Sequence, residues 1–68
     1  MVDIDALKRA IEDSGITMTA LSSKLGVSRE TLYNRFAGKG EFTVSEIQGL
    51  TDILHLTAGQ RNAIFFKQ

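Results

Sequence analysis

Between residues 28 and 34 the chain gathers side chains suited to reading the edges of DNA bases. Arg29 carries a fork of donors that matches O6 and N7 of guanine. Asn34 offers the donor and acceptor that adenine N6 and N7 require, and Glu30 can accept from cytosine N4. Tyr33 brings a ring for thymine methyls and a hydroxyl for phosphate, and Ser28 adds a second hydroxyl. On an arbitrary helix such a face is simply solvated, with Glu30 and Asn34 bonding arginine or water. Its setting in the chain argues for more.

That setting is the run from Thr17 to Phe36, which reads as two short helices joined by a tight turn at Gly26. Leu21, Leu25, Val27, Leu32 and Phe36 fall where such a pair must bury apolar side chains. This is the layout of a helix-turn-helix, whose second helix enters the major groove. Gly26 supplies the positive φ of the turn at little steric cost. Thr17 caps a helix that runs to Leu25, and Ser28 caps one that runs to about Ala37 and stops at Gly38. With Leu32 and Phe36 inward, Ser28, Arg29, Glu30, Tyr33 and Asn34 lie outward or on the groove-facing flank as candidate base contacts. Thr17 and Thr19 open the first helix, where free amides form a seat for phosphate. Arg35 and Lys39 follow the second helix, placed to neutralise phosphates. Capping alone competes with the phosphate role for the threonines, and a plain surface role competes with it for Arg35.

The remaining elements must carry this unit. A first helix is expected from about residue 4 to 14, with Ile4, Leu7, Ile11 and Ser14 at helical spacing, Asp3 as cap and Gly15 as stop. Lys39 to Phe42 read as a loop. Thr43 and Glu46 spell a capping box for a helix to about His55, with Val44, Ile47, Leu50 and Leu54 inward. Thr57 and Gln60 repeat that logic for a last helix to about Lys67. The expected fold is all-α with five helices, in one domain spanning residues 1–68, its helix-turn-helix at about 17–37. Phe65 and Phe66 are adjacent, so they point about 100° apart. One should close the core and leave the other as a candidate interface.

Composition bounds the function. The 68 residues carry no net charge, yet residues 17–40 hold Lys24, Arg29, Arg35 and Lys39 against Glu30 alone, a local balance of +3 offset by −3 elsewhere. The positive region coincides with the proposed reading unit, which gives orientation but only modest non-specific affinity. Cysteine is absent, which removes disulfides and thiol metal sites and fits a reducing interior. No apolar run approaches the roughly 20 residues of a membrane span, and Asp3 and Asp5 precede any lysine, unlike a signal peptide. His55 is the lone histidine, a helix-end residue without a nucleophile or ligand companion. With no phosphate loop and no metal-ligand spacing, the sequence calls for no cofactor, no metal and no enzyme chemistry.

The stretch from Ile16 to Lys39 resembles the Cro and repressor (XRE-type) helix-turn-helix of temperate phages and bacterial regulators, and the five-helix plan is that of the lambda-repressor-like DNA-binding domain. Leu21, Gly26, Val27, Ser28 and Leu32 match the apolar and turn positions. The resemblance implies base reading by Arg29, Glu30, Tyr33 and Asn34, with Thr17 and Thr19 near phosphate. It also implies a double-stranded DNA operator, weak dimerisation or pairing on DNA, and action on the nucleoid in the bacterial cytoplasm. Three positions depart from the pattern. Met18 stands where Gln often braces the recognition helix, Ser22 replaces a usual Ala, and Arg35 occupies a position that is apolar in many members. The run from Leu32 to Lys39 looks like that of small phage regulators, and the absence of a ligand or oligomerisation domain is closer to Cro than to a full-length repressor. A second reading is an antirepressor that keeps this shape but covers a partner repressor's DNA-binding face. Zero net charge, Met18 and the paired Phe65 and Phe66 favour that alternative.

Overall fold

Each helix begins on a short polar residue whose extended backbone leaves its side chain free to bond an otherwise unpaired amide. Asp3, Thr17, Ser28, Thr43 and Thr57 accept from the amides of Ala6, Ala20, Thr31, Glu46 and Gln60. The computed structural model describes residues 1–67, which form α1 (Ile4–Ser14), α2 (Met18–Leu25), α3 (Arg29–Phe36), α4 (Val44–Ile53) and α5 (Ala58–Phe65). No strand occurs among the described residues, so the protein is all-α as expected. Both capping boxes form: Glu46 and Gln60 each return a bond to the amide of the threonine that caps their own helix.

The last two helices end earlier than their apolar pattern suggests. α4 stops at Ile53 because His55 takes a left-handed φ of 54° and the Leu56 amide folds back onto the Thr51 carbonyl. α5 stops at Phe65 rather than about Lys67. The Asp3 amide takes the Ile64 carbonyl at 2.7 Å, the N-terminal ammonium bonds the Lys67 carbonyl, and Lys67 Nζ lies 3.2 Å from Asp3 Oδ2. The two ends of the chain thus satisfy each other, and Asp3 serves both that closure and the α1 cap.

Leu7, Ile11, Leu21, Leu32, Leu50, Leu54, Ile64 and Phe65 form the buried core, drawn from all five helices. Leu25, Val27, Phe36 and Ile47 pack against it while partly exposed. Phe42, expected in a loop, wedges between Phe36 and Phe65 with ring centroids 6.4 and 5.5 Å away. Val44 does not point inward as expected; it is 76% exposed. Stepping back two threes from Leu50 at about 100° per residue rotates Val44 off the core side, and the inward place in the first turn of α4 goes to Glu46. α2 packs on α4 with Leu25 over Gly49, where a Cβ would come within 2.6 Å of Leu25 Cδ2.

Leu32 is the residue of α3 that enters the core, at 1% exposure. Leu32→Ala should cost about 2–5 kcal/mol, a large part of the stability of so small a protein. Thermal unfolding followed by circular dichroism measures this directly. An unchanged midpoint would remove Leu32 from the core.

Candidate nucleic-acid interface

The direction of α3 is set by three residues. Gly26 adopts a left-handed φ of 74°, the Val27 amide bonds back to the Ser22 carbonyl at 3.1 Å, and Val27 packs against the core. Ser28 then starts α3 at once. Its hydroxyl accepts the Thr31 amide at 3.0 Å and donates to Thr31 Oγ1 at 2.9 Å. Of the candidate base contacts, Ser28 is therefore the one already committed to holding the helix start.

With Leu32 inward, Glu30, Tyr33 and Asn34 occupy the opposite side of α3. Glu30 is exposed, the Tyr33 residue is 54% exposed, and Asn34 is half-buried, its side chain making no hydrogen bond among the described residues. Tyr33 stands edge-on to Phe36 at 6.4 Å, which fixes the ring at the margin of the outward face. Arg29 leans from the start of α3 towards α2, with Nη1 3.4 Å from Thr19 Oγ1. Thr19 thus meets Arg29 directly. Met18, at the position where the resembling family often has a bracing Gln, instead packs against the core. It lines a groove with Lys8, Ile11, Glu12, Tyr33 and Phe36, and the Lys8 ammonium sits 5.9 Å above the Phe36 ring.

Thr17 and Lys39 are exposed at the edges of this face. The Thr17 oxygen accepts the Ala20 amide, which leaves its own proton free to donate. The Lys39 amide bonds the Asn34 carbonyl at 2.8 Å, so the residue after α3 is tied to the last turn of the helix. Lys24 and Thr31, not among the expected contacts, also belong to the two-helix unit; Lys24 is exposed on α2 and Thr31 is half-buried on α3.

Arg35 is placed differently from its expected phosphate role. It sits on the inward flank of α3 and forks onto Glu46 of α4, Nε to Oε1 at 3.1 Å and Nη2 to Oε2 at 3.3 Å. Glu46 is only 8% exposed and also accepts the Thr43 amide at 3.0 Å. Burial by itself would raise the Glu46 carboxyl, but the bonds from Arg35 and Thr43 outweigh it and hold the group below its ordinary value. A periodicity argument does not find this pair, because the two residues lie on different helices across a loop. The apolar habit of the family at the Arg35 position was the one available sign that this side chain turns inward.

The aromatic pair near the end of the chain also separates. Phe65 is 4% exposed and belongs to the core, so it is not an interface residue, whereas Phe66 is 56% exposed. Phe66 lies along a groove shared with Met1, Val2, Phe42 and Ile47.

A family model described as Helix-turn-helix matches residues 7–59, from within α1 to the first turn of α5. Comparison with curated proteins and with solved structures found no match.

The Glu46 pair makes stability acid-sensitive in a defined direction. A carboxyl whose pKa is lower in the folded than in the unfolded chain stabilises the fold above its unfolded value, and the contribution is lost as pH falls through the folded one. Asp3 is lowered too, by the Ala6 amide and then by Lys67. The urea midpoint should therefore drop as pH falls below about 4. The drop should be shallower in Glu46→Gln, which removes one of these two lowered carboxyls. Parallel pH profiles for the two proteins would show that Glu46 contributes nothing to the acid dependence.

Proposed function

Because the chain belongs to the XRE-type helix-turn-helix family, we propose that it is a sequence-specific transcriptional regulator of the Cro and repressor kind, with α3 lying in the major groove of an operator. The observation that carries this is the outward face of α3. Glu30, Tyr33 and Asn34 are not consumed by the fold, and Arg29 stands at the helix start where base edges come closest. Arg29 is assigned to guanine, Asn34 to adenine, Glu30 to cytosine and Tyr33 to a thymine methyl. Ser28 keeps its cap and reaches DNA only through the hydroxyl it shares with Thr31. Thr17, Thr19 and Lys39 are assigned to phosphates. The site of action is the nucleoid of a bacterial cell.

One such helix reads few base pairs. Two copies about 34 Å apart along the duplex read a palindrome from one side. Phe66 is the proposed contact between copies, since its ring is exposed while Phe65 is spent on the core. Phe66→Ser should leave the melting temperature close to that of the wild type and lower cooperativity on a two-site operator. Unchanged cooperativity would move the dimer contact elsewhere.

The antirepressor alternative draws on one observation. Arg35 is neutralised by Glu46, so Lys24, Arg29 and Lys39 are the cations of residues 17–40 that remain free of carboxylates among the described residues, and Glu30 follows Arg29 directly in sequence. A salt titration separates the two. For a DNA regulator, log affinity for duplex DNA should fall linearly with log salt at about 0.9 per phosphate neutralised. Lys39→Ala should reduce that slope by about 1 on every sequence, whereas Arg29→Ala should relax preference at one base pair at a cost of about 1–3 kcal/mol. No binding to any duplex at low salt, together with tight one-to-one binding to a repressor, would establish the alternative.

A further inference from the structure

Arg35 and Glu46 do more than add an ion pair. Three parts of the chain meet on one carboxylate: the last turn of α3 through the Arg35 fork, the end of the following loop through the Thr43 amide, and α4 through Glu46 itself. A planar guanidinium bonded at two nitrogens fixes rotation as well as distance. Arg35 directly follows Asn34 and lies two residues from Tyr33, so a twist of this turn moves both. The same turn holds the loop: the Gly38 amide bonds the Arg35 carbonyl at 3.2 Å and the Lys39 amide bonds the Asn34 carbonyl at 2.8 Å. Gly40 closes over the guanidinium, where a Cβ would come within 2.7 Å of Arg35 Nη1. A phosphate role for Arg35 would strip this carboxylate of its partner while Glu46 stays buried, an arrangement of high cost.

We propose that Arg35 and Glu46 are a positioning pair which, given the DNA-binding reading above, sets discrimination between sequences by fixing how the last turn of α3 and Lys39 are presented, without either side chain touching DNA. Base recognition tolerates little error of placement, since displacements of about 1 Å already disable a binding constellation. Affinity for phosphates tolerates more, because much of it comes from charge and counterion release, which demand less exact geometry than a base contact. Loss of the pair therefore acts on specificity before it acts on general affinity.

Glu46→Gln is the informative variant. Gln60 makes the same capping box at Thr57 that Glu46 makes at Thr43, so glutamine preserves the α4 cap and removes the charge that holds the fork. Affinity would be measured for the best sequence selected from a random duplex library and for the unselected library. The expected result is that Glu46→Gln leaves affinity for the unselected pool within about twofold of wild type but lowers the ratio between selected and unselected DNA by about tenfold. Arg35→Gln should lower that ratio equally, and the double variant no further, as for residues that act as a unit. Amide hydrogen exchange gives a readout independent of DNA: Gly38 and Lys39, whose amides bond the last turn of α3, should exchange faster in Glu46→Gln while Thr43, Leu7 and Ile64 do not.

An unchanged ratio in folded Glu46→Gln and Arg35→Gln would overturn the proposal and leave the pair a stabilising contact. A uniform loss of affinity with a shallower salt slope in Arg35→Gln, absent from Glu46→Gln, would overturn it in favour of a direct phosphate contact. Wild-type protein that binds no duplex would overturn the DNA-binding reading and this role with it.

Discussion

The geometry of the two-helix unit hangs on the backbone of Gly26. A left-handed residue lets the chain reverse within one position, so that Val27 can plug the core and Ser28 can begin α3 immediately. A side chain at Gly26 would meet nothing nearby, so the demand there is on φ rather than on space. Everything that gives α3 its outward face follows from that turn. Leu32 reaches the core, Arg29 comes within reach of Thr19, and the opposite side of the helix stays free of packing.

A helix fixed only at its start would swing at its end, and the protein fastens the two ends by different chemistry. At the start, Ser28 and Thr31 exchange bonds through groups that water can also reach. At the end, a buried carboxylate holds a guanidinium against α4 and the loop. Apolar packing alone would give distance without fixed rotation, since Phe36 beside it is only partly covered. The pair also removes one positive charge from the surface of the two-helix unit, so part of the charge asymmetry visible in residues 17–40 is structural.

Much of the architecture was legible because it is written locally. Each cap is a short polar residue followed three places later by the amide it serves, and each left-handed stop that ends α1 or α2 is a glycine. Such signals fixed the starts of all five helices and the core roles of Leu21, Leu32 and Leu50. What escaped was set by contacts between distant segments. α5 is shortened by bonds from the first residues of the chain, Phe42 is drawn in by Phe36 and Phe65, and Arg35 is captured across a loop. Val44 is apolar yet turned outward: counted from Leu50 at about 100° per residue it lies off the core side, and the inward place of that turn goes to a charged residue, Glu46, which Arg35 neutralises.

A chain without net charge meets a polyanion only through the way its charges are distributed. Among the charges outside the two-helix unit, Lys67 is bonded to Asp3, and Glu46 is held by Arg35. Asp5, Glu12, Asp13, Glu41 and Asp52 remain exposed on α1, on the loop and on α4, with Glu12 bordering the groove that Met18, Tyr33 and Phe36 line. Within residues 17–40, Lys24, Arg29 and Lys39 have Glu30 as the one acidic residue. A weak field of this kind orients an encounter without holding the protein on arbitrary DNA. On the DNA-binding proposal, selectivity comes from contacts made at hydrogen-bond distance, a task for which a helix locked at both ends is better suited than one with more charge.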